Sequence, residues 1–240
     1  MSTNSDVLQP HVHEPEIFEF PPAVGEREIS PQSPQADPRR FAEEQMRALV
    51  RQVFCPGWPR PARQVVVSAV DATVDVADVC LQAGQALSEQ VDASIGIIQA
   101  DPHGSAPELS RNMSAFEEGA FGVIRAFSHQ VSTNLWHVPF PVFTGEQNSL
   151  TAAWLRGRLA ELRLEFDYTI LQGPPAGSAG EVAMLGHLSD GVVLVLEANA
   201  THRVTALRVK EKLQLANVRI LGAVLSERTF PIPQAIYDRL

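Results

Sequence analysis

Short runs of consecutive apolar residues alternate with amphipathic stretches along most of the chain, and this alternation limits the fold more than any other feature. The clearest run covers residues 191–196, GVVLVL, with no polar residue in it. A strand that is apolar on both faces is typical of a parallel sheet covered by helices on both sides. The pattern therefore predicts an α/β fold, with a doubly wound, mostly parallel sheet in a three-layer α/β/α arrangement.

Six strands and four helices are predicted from this alternation, and the first βαβ unit spans residues 65–101. The predicted strands are residues 63–71, 93–101, 134–140, 167–175, 190–199 and 218–227. The predicted helices are residues 38–54, 75–90, 148–166 and 201–217.

The first 40 residues differ in composition from the rest, since they hold seven of the eighteen prolines among small polar and acidic residues. Such a segment buries too little apolar surface to offset the entropy of ordering. The sequence thus predicts a disordered, Pro-rich tail over residues 1–40 and one domain over residues 41–240.

Charge and hydropathy limit the partners. A formal net charge of −9 argues against nucleic acid and against an anionic membrane surface. The longest apolar run is far shorter than the roughly 20 residues that a membrane-spanning helix needs, and two cysteines outside any CxxC pattern suggest neither disulfides nor zinc. We expect a cytoplasmic protein that does not insert into the membrane.

Four segments carry a family resemblance: VVVSAVD, GIIQADPHG, EFDYTILQGPP followed by LSDGVVLVLEAN, and VRILGAVLSER. Their order resembles the MinD/ParA-like deviant P-loop ATPases, and within them the cytoplasmic tyrosine-kinase domains of capsule and exopolysaccharide biosynthesis (the CpsD/CapB type). The likeness covers roughly residues 40–230 and is weaker in the first hundred. It implies a P-loop NTPase-like domain that uses ATP and Mg²⁺ to phosphorylate protein tyrosines.

The phosphate-binding loop departs from that family. An active loop needs glycines to wrap a phosphate, a lysine to neutralise it and a Ser or Thr to hold Mg²⁺. The segment contains no glycine between Gly57 and Gly84 and no Lys or Arg between Arg63 and Arg111. The degenerate loop positions are Asp71, Ala72, Thr73, Val74, Asp75, Val76 and Ala77, with Val76 at the lysine position and Ala77 at the Ser/Thr position to within about one residue.

The family's metal and base positions have changed as well. Gln99 stands where the resemblance implies an Asp, although Asp101 two residues later is retained. Gln172 replaces the Asp that holds Mg²⁺ through water, and Ser226 replaces the Asn that reads the adenine. Glutamine carries no charge and anchors a divalent cation poorly. We therefore expect no catalytic residue, no bound cofactor and no metal at these positions.

The remaining candidate residues point less clearly to a function. Tyr168 and Tyr237 are the only tyrosines, so the tyrosine-rich tail of the family is missing. Glu44, Arg47 and Arg51 match the family's ring-forming helix in part, and a solvated helix face explains them equally well. The seven histidines are scattered singly in the sequence, which favours surface or core packing over a metal site.

Two loops at predicted strand ends, residues 101–104 and 173–177, lie where open α/β sheets bind ligands. In the second loop, the Pro-Pro turn serves equally well to end the strand and redirect the chain.

The leading hypothesis is a non-catalytic relative of the exopolysaccharide tyrosine kinases. It would bind or regulate a protein partner, either an active paralogue or the membrane polysaccharide co-polymerase, which would recruit it to the inner face of the membrane. Two alternatives stay open: an active tyrosine kinase or MinD/ParA-like ATPase with an unorthodox loop, and a structural subunit unrelated to polysaccharide. Homo-oligomerisation also stays open.

Overall fold

Seven strands form a single sheet with helices on both of its faces. The computed structural model describes residues 38–55, 61–105, 124–145, 151–178 and 180–226, which all belong to one compact unit. The strands are β1 (Gln64–Ala69), β2 (Ile95–Gln99), β3 (His129–Ser132), β4 (Leu135–Val138), β5 (Tyr168–Gln172), β6 (Gly191–Glu197) and β7 (Ile220–Ser226). The helices are α1 (Pro38–Phe54), α2 (Ala77–Ser88), α3 (Phe140–Thr144), α4 (Ala152–Glu165), α5 (Gly180–Leu188) and α6 (Arg203–Leu215), and two 3₁₀ turns cover Ile124–Phe127 and Ala176–Ser178.

The strand order across the sheet is β3-β4-β2-β5-β1-β6-β7. All neighbouring pairs are parallel except β3 with β4, which is antiparallel. β1 lies between β5 and β6, so its carboxyl end opens near the middle of the sheet. The predicted doubly wound, mostly parallel sheet is confirmed.

Each face of the sheet has its own hydrophobic layer, because successive strand side chains point to opposite faces. On one face, α1 and α2 cover alternate strand residues such as Val65, Val67 and Ile97. On the other face, α3 to α6 cover the intervening ones, such as Val66 and Ile98. The two layers produce the three-layer arrangement that the apolar runs predict.

Specific contacts fix two of the helices. α4 begins after Thr151, whose side-chain oxygen accepts a hydrogen bond from the backbone N–H of Trp154 and so caps the helix. α1 packs on α2, and its Arg47 makes a salt bridge of 3.0 Å with Glu89 just beyond α2. Arg51 donates to the side-chain oxygen of Gln90.

The structure contains three elements that the sequence pattern did not predict. β3 is a four-residue edge strand with alternating half-buried and exposed residues and no apolar run. α3 has five residues, and α5 follows a glycine-rich turn. α1 begins at Pro38, within the stretch assigned to the tail, and residues 1–37 lie outside the described residues. None of the helices in the described ranges is long and apolar enough to cross a bilayer.

Candidate functional site

A cleft opens at the carboxyl ends of β1, β2 and β5 and encloses about 220 Å³. Open α/β sheets bind their ligands at this edge. The lining residues are Ala69, Ala72, Thr73, Val74, Asp75, Val76, Asp101, His103, Gly104, Ser105, Gln172, Gly173 and Pro175. The two loops singled out in the sequence, residues 101–104 and 173–177, thus both reach the cleft together with the degenerate loop.

In the loop between β1 and α2, the side chain of a loop residue forms a hydrogen bond with the start of the following helix. Oδ1 of Asp75 accepts a hydrogen bond of 2.9 Å from the backbone N–H of Ala77, the first residue of α2. This N–H belongs to the set that a helix start offers to an anion. None of residues 71–76 has a positive φ, so the loop lacks the alternating αR–αL backbone of an anion-binding nest.

Two polar side chains at the ends of the neighbouring strands β2 and β5 line the cleft together with this loop. Asp101, two residues beyond β2, is 8% exposed, and its Oδ1 accepts from the backbone N–H of His103 at 2.9 Å. Gln172, the last residue of β5, is 1% exposed and donates from Nε2 to the carbonyl of Ser105 at 3.0 Å. Its Oε1 is buried without a hydrogen-bond partner in the described residues.

The remaining predicted positions do not line the cleft. The backbone carbonyl of Asp71 accepts from Val74 N in the turn that starts the loop. Both ends of the Gln99 amide form hydrogen bonds within the fold: Nε2 donates to the carbonyl of Gly104 and Oε1 accepts from Phe140 N. Ser226 ends the edge strand β7, and its hydroxyl donates to the carbonyl of Leu196. The structure therefore gathers the loop, Asp101 and Gln172, but not Gln99 or Ser226.

Two histidines that are scattered singly in the sequence lie next to each other in the fold. His129 on β3 and His137 on β4 are register partners, and their rings stack with centroids 6.3 Å apart. Burial, together with the neighbouring His129, lowers the pKa of His137 to about 4. The sequence did not indicate this pairing, because β3 was not predicted. Within the described ranges, no three His, Cys, Asp or Glu side chains are grouped to hold a metal ion.

The chemistry of the cleft favours positive over negative groups. Its charged lining residues are Asp75 and Asp101, and no Lys or Arg lines it among the residues described. Like charges at contact distance in a partly desolvated site repel by several kcal/mol. A nucleotide triphosphate in the cleft would therefore meet two carboxylates and, among the described lining residues, no Lys or Arg.

Sequence comparison relates part of the chain to bacterial kinases. The chain is 27% identical over 86 residues to the tyrosine-protein kinase YwqD of Bacillus subtilis, which is 36% of each protein. It is also 27% identical over 78 residues to the tyrosine-protein kinase CpsD of Streptococcus agalactiae, 32% of this chain and 34% of that one. The matches thus span about a third of these relatives. No protein-family model matches the chain.

Solved structures share the fold over a larger part of the chain. The VpsO kinase domain superposes with a TM-score of 0.59 and 17% identity over 80% of this chain and 98% of that one. The BceF tyrosine kinase domain follows at 0.55 and 13%, over 77% of each chain. MinD, a cell division protein of Aquifex aeolicus, superposes at 0.54 and 14%, over 74% and 73%. The resemblance seen in the sequence is confirmed: the chain has the MinD/ParA-like P-loop NTPase fold and is related in sequence to tyrosine-protein kinases of the CpsD type.

Proposed function

We propose that this chain is a non-catalytic relative of the exopolysaccharide tyrosine kinases that binds or regulates another protein in polysaccharide synthesis or export. The relatives are named as tyrosine-protein kinases, and the polysaccharide pathway is what the sequence resemblance implies. The cleft supplies the argument against catalysis. Fold alone does not decide function, so the proposal depends on the site.

The bond between Asp75 and Ala77 is the observation that carries the proposal. A nucleotide phosphate at the start of α2 would need the N–H groups that point out of the helix. Here the first of them already donates to a carboxylate of the same chain at 2.9 Å. The carboxylate offsets the positive end of the helix dipole, and Asp75 itself lines the cleft that a phosphate would enter.

The charge of the cleft supports the same conclusion. An active loop surrounds the phosphates with a lysine and a metal ion, whereas this cleft has Asp75 and Asp101 and, among its described residues, no cation. Transfer of a phosphoryl group depends almost entirely on positioning and electrostatic stabilisation of that group. A site with the opposite charge offers neither.

The α1 contacts bear on how such a protein would assemble. In the family this helix helps subunits form a ring, and Glu44, Arg47 and Arg51 match its pattern in part. Arg47 and Arg51 bind Glu89 and Gln90 of the same chain. These two side chains are thus engaged within the chain, which argues against a self-assembled kinase ring; the proposed partner is an active paralogue or the membrane co-polymerase, as the resemblance implies. We place that role in the cytoplasm, at the inner face of the membrane.

Calorimetric titration of the purified protein with ATP and Mg²⁺ tests the proposal. We expect no measurable binding at ATP concentrations up to about 1 mM. A Kd near 1 mM would correspond to a binding free energy of about −4 kcal/mol. Magnesium-dependent binding with a micromolar Kd would overturn the proposal in favour of an active ATPase or kinase. Incubation with ATP and detection of phosphotyrosine, with Tyr237→Phe as the control, would show whether any kinase activity modifies the chain itself.

The regulatory half of the proposal needs a separate measurement. The tyrosine-phosphorylation rate of an active paralogue from the same cell is compared with and without this protein. We expect the rate to change as the protein is titrated to saturation. An unchanged rate, together with no binding to the paralogue or to the co-polymerase, would leave the structural-subunit alternative as the better explanation.

A further inference from the structure

We propose that α6 is the contact face of a two-fold symmetric dimer, in which it packs antiparallel against α6 of a second copy of this chain. None of the α6 residues lines the cleft, so the inference does not depend on the proposed function. Two features carry it: exposed apolar residues near both ends of the helix, and two opposite charges between them, in an order that is complementary to itself.

The apolar residues lie on the side of α6 that is turned to solvent. Val209 and Leu213 are the buried residues of the helix and pack in the hydrophobic layer of the sheet. Val204 is 67% exposed and Leu215 is 88% exposed, in the first and last turns. Single exposed apolar residues are common on protein surfaces. The argument therefore depends on how these two are arranged with their neighbours.

Four exposed residues form one stripe along α6. Val204, Arg208, Glu211 and Leu215 follow one another at intervals of four, three and four positions. Residues three and four apart share one face of an α-helix, so the four side chains lie in a line about 16 Å long. In the part of the chain that the structure describes, neither Arg208 nor Glu211 forms a salt bridge.

The stripe is complementary to itself in the antiparallel direction. If a two-fold axis passes between residues 209 and 210, Val204 faces Leu215 of the second copy and Arg208 faces its Glu211, and each pair occurs twice. A two-fold interface requires this property, because both copies present the same patch. Apolar groups meet apolar groups, and each charge meets its opposite.

The same residues disfavour the other arrangements. In a parallel pair, Arg208 would face Arg208 and Glu211 would face Glu211, and like charges across an interface repel. An anionic lipid surface would attract Arg208 but repel Glu211, which lies within the stripe. A second, antiparallel copy satisfies both charges at once.

The length of the stripe predicts a weak dimer. A stable interface buries about 800 Å² on each partner, which is more than one helix stripe provides. We expect a reversible dimer with a Kd of about 10–100 µM. Every substitution in the stripe acts twice, because each copy contributes the same residues.

Sedimentation velocity of the full chain over a concentration series tests the inference. Arg208→Glu and Glu211→Arg should each weaken the dimer at least about tenfold, because like charges then face each other twice. An equal mixture of the two variants should form a heterodimer with about the Kd of the unaltered protein. In that mixture, the two acidic side chains of one copy face the two basic ones of the other.

Two further variants complete the design. Arg156→Glu is the matched control, because Arg156 is exposed on α4 and its substitution changes the net charge equally. It should leave the Kd of the dimer unchanged. Leu215→Ser removes an exposed apolar side chain with little effect on folding, and it should weaken the dimer about tenfold.

Three results would overturn the inference: an unaltered protein that stays monomeric up to about 500 µM, a dimer that both charge reversals leave unchanged, or a mixture of the two folded variants that stays monomeric. If circular dichroism shows that a charge-reversed variant does not fold, Leu215→Ser decides in its place, and an unchanged Kd counts against the stripe. Binding of a monomeric protein to vesicles of phosphatidylcholine and phosphatidylserine would assign the stripe to a lipid surface instead.

Discussion

The two ends of the sheet differ in how far their polar side chains are satisfied by hydrogen bonds. At the amino end, where β1, β2, β5 and β6 begin, the side chains of Gln64, Asp167 and Asp190 form hydrogen bonds with groups of neighbouring elements. At the carboxyl end, Gln172 Oε1 on β5 and both ring nitrogens of His137 on β4 are buried without hydrogen-bond partners among the described residues. In proteins of this fold the carboxyl end is where ligands bind, so the contrast separates structure from function within one sheet.

Asp190 organises the amino end. Its Oδ2 accepts from the backbone N–H groups of Arg63 and Gln64, both at 2.8 Å, and its Oδ1 pairs with Arg163 at 3.0 Å. Gln64, which is fully buried, bonds through its side chain to Leu159 O and to Arg163 Nε. Two strand starts and one helix are thereby joined. Gln64 is the buried member of this network, while Asp190 and Arg163 are partly exposed, and the hydrogen bonds hold the three elements in one arrangement.

The carboxyl end has no comparable hydrogen-bond network around these unpartnered groups among the described residues. Within the described residues, Gln172 Oε1 and both ring nitrogens of His137, near the end of β4, are buried without hydrogen-bond partners. Thr169 Oγ1 is the exception at the other end, since it is also unpartnered near the start of β5. Unsatisfied buried groups cost stability.

Asp190→Ala tests the amino end and should have the largest effect. It leaves the N–H groups of Arg63 and Gln64 without acceptors and removes the partner of Arg163, so we expect a loss of about 4 kcal/mol in the free energy of unfolding. Urea denaturation at pH 7 measures it. Asp92→Ala, an exposed loop residue before β2, is the control and should change stability by less than about 0.5 kcal/mol. Equal effects in the two variants would contradict the closed-network view.

His137 tests the carboxyl end through pH. Its pKa is about 4 in the folded protein against an ordinary histidine value of 6.5, so between these two pH values the unfolded chain binds a proton that the folded one does not. The contribution of His137 to the free energy of unfolding is therefore fully present above pH 6.5. It falls by about 3 kcal/mol as the pH drops towards 4. His137→Leu should lose this part of the pH dependence when urea midpoints are compared from pH 7 to pH 4. An unchanged slope in the variant would mean that His137 does not titrate as a buried group.

Asp167 gives a smaller pH effect at the amino end. Its pKa is lowered mainly by the hydrogen bond from the backbone N–H of Ser94, and further by the Ser94 hydroxyl. The pKa of Asp167 is lower in the folded protein than in the unfolded chain. Its contribution to the free energy of unfolding is therefore present above the unfolded pKa of 3.8 and is lost as the pH falls below that value. The stability difference between the wild type and Asp167→Asn should therefore shrink on acidification below about pH 4. A difference that stays constant down to pH 2 would rule out this carboxylate as its source.

The sequence reveals the sheet more fully than the cleft, for a physical reason. The apolar run in β6 and the helical spacing in α1 are local patterns, and both elements appear where they were predicted. β3 and α5 lack a strong local pattern and were missed. The site depends on what folding brings together. The bond from Ala77 to Asp75 requires the loop conformation, and the approach of Gln172 to Asp101 requires the register of β2 with β5. Residue types suggested a lost phosphate site, but neither contact follows from them.

Restoring the phosphate loop should have the smallest effect of all. In the triple variant Asp75→Gly, Val76→Lys and Ala77→Thr, the loop regains the residue types of an active one, yet we expect ATP hydrolysis to stay at background. Gln99 and Gln172 carry no charge and already bond to Gly104 O and Ser105 O, so neither side chain supplies a carboxylate to anchor Mg²⁺.

The same triple variant needs a folding control, because Val76 and Ala77 are buried and a lysine there carries a desolvation cost. Asp75→Gly alone, which opens the start of α2 without adding a buried charge, serves as the matched variant and should destabilise the fold by about 1 kcal/mol through loss of the bond to Ala77. Phosphate release by the folded triple variant above that of the single one would show that the loop alone separates this chain from an ATPase.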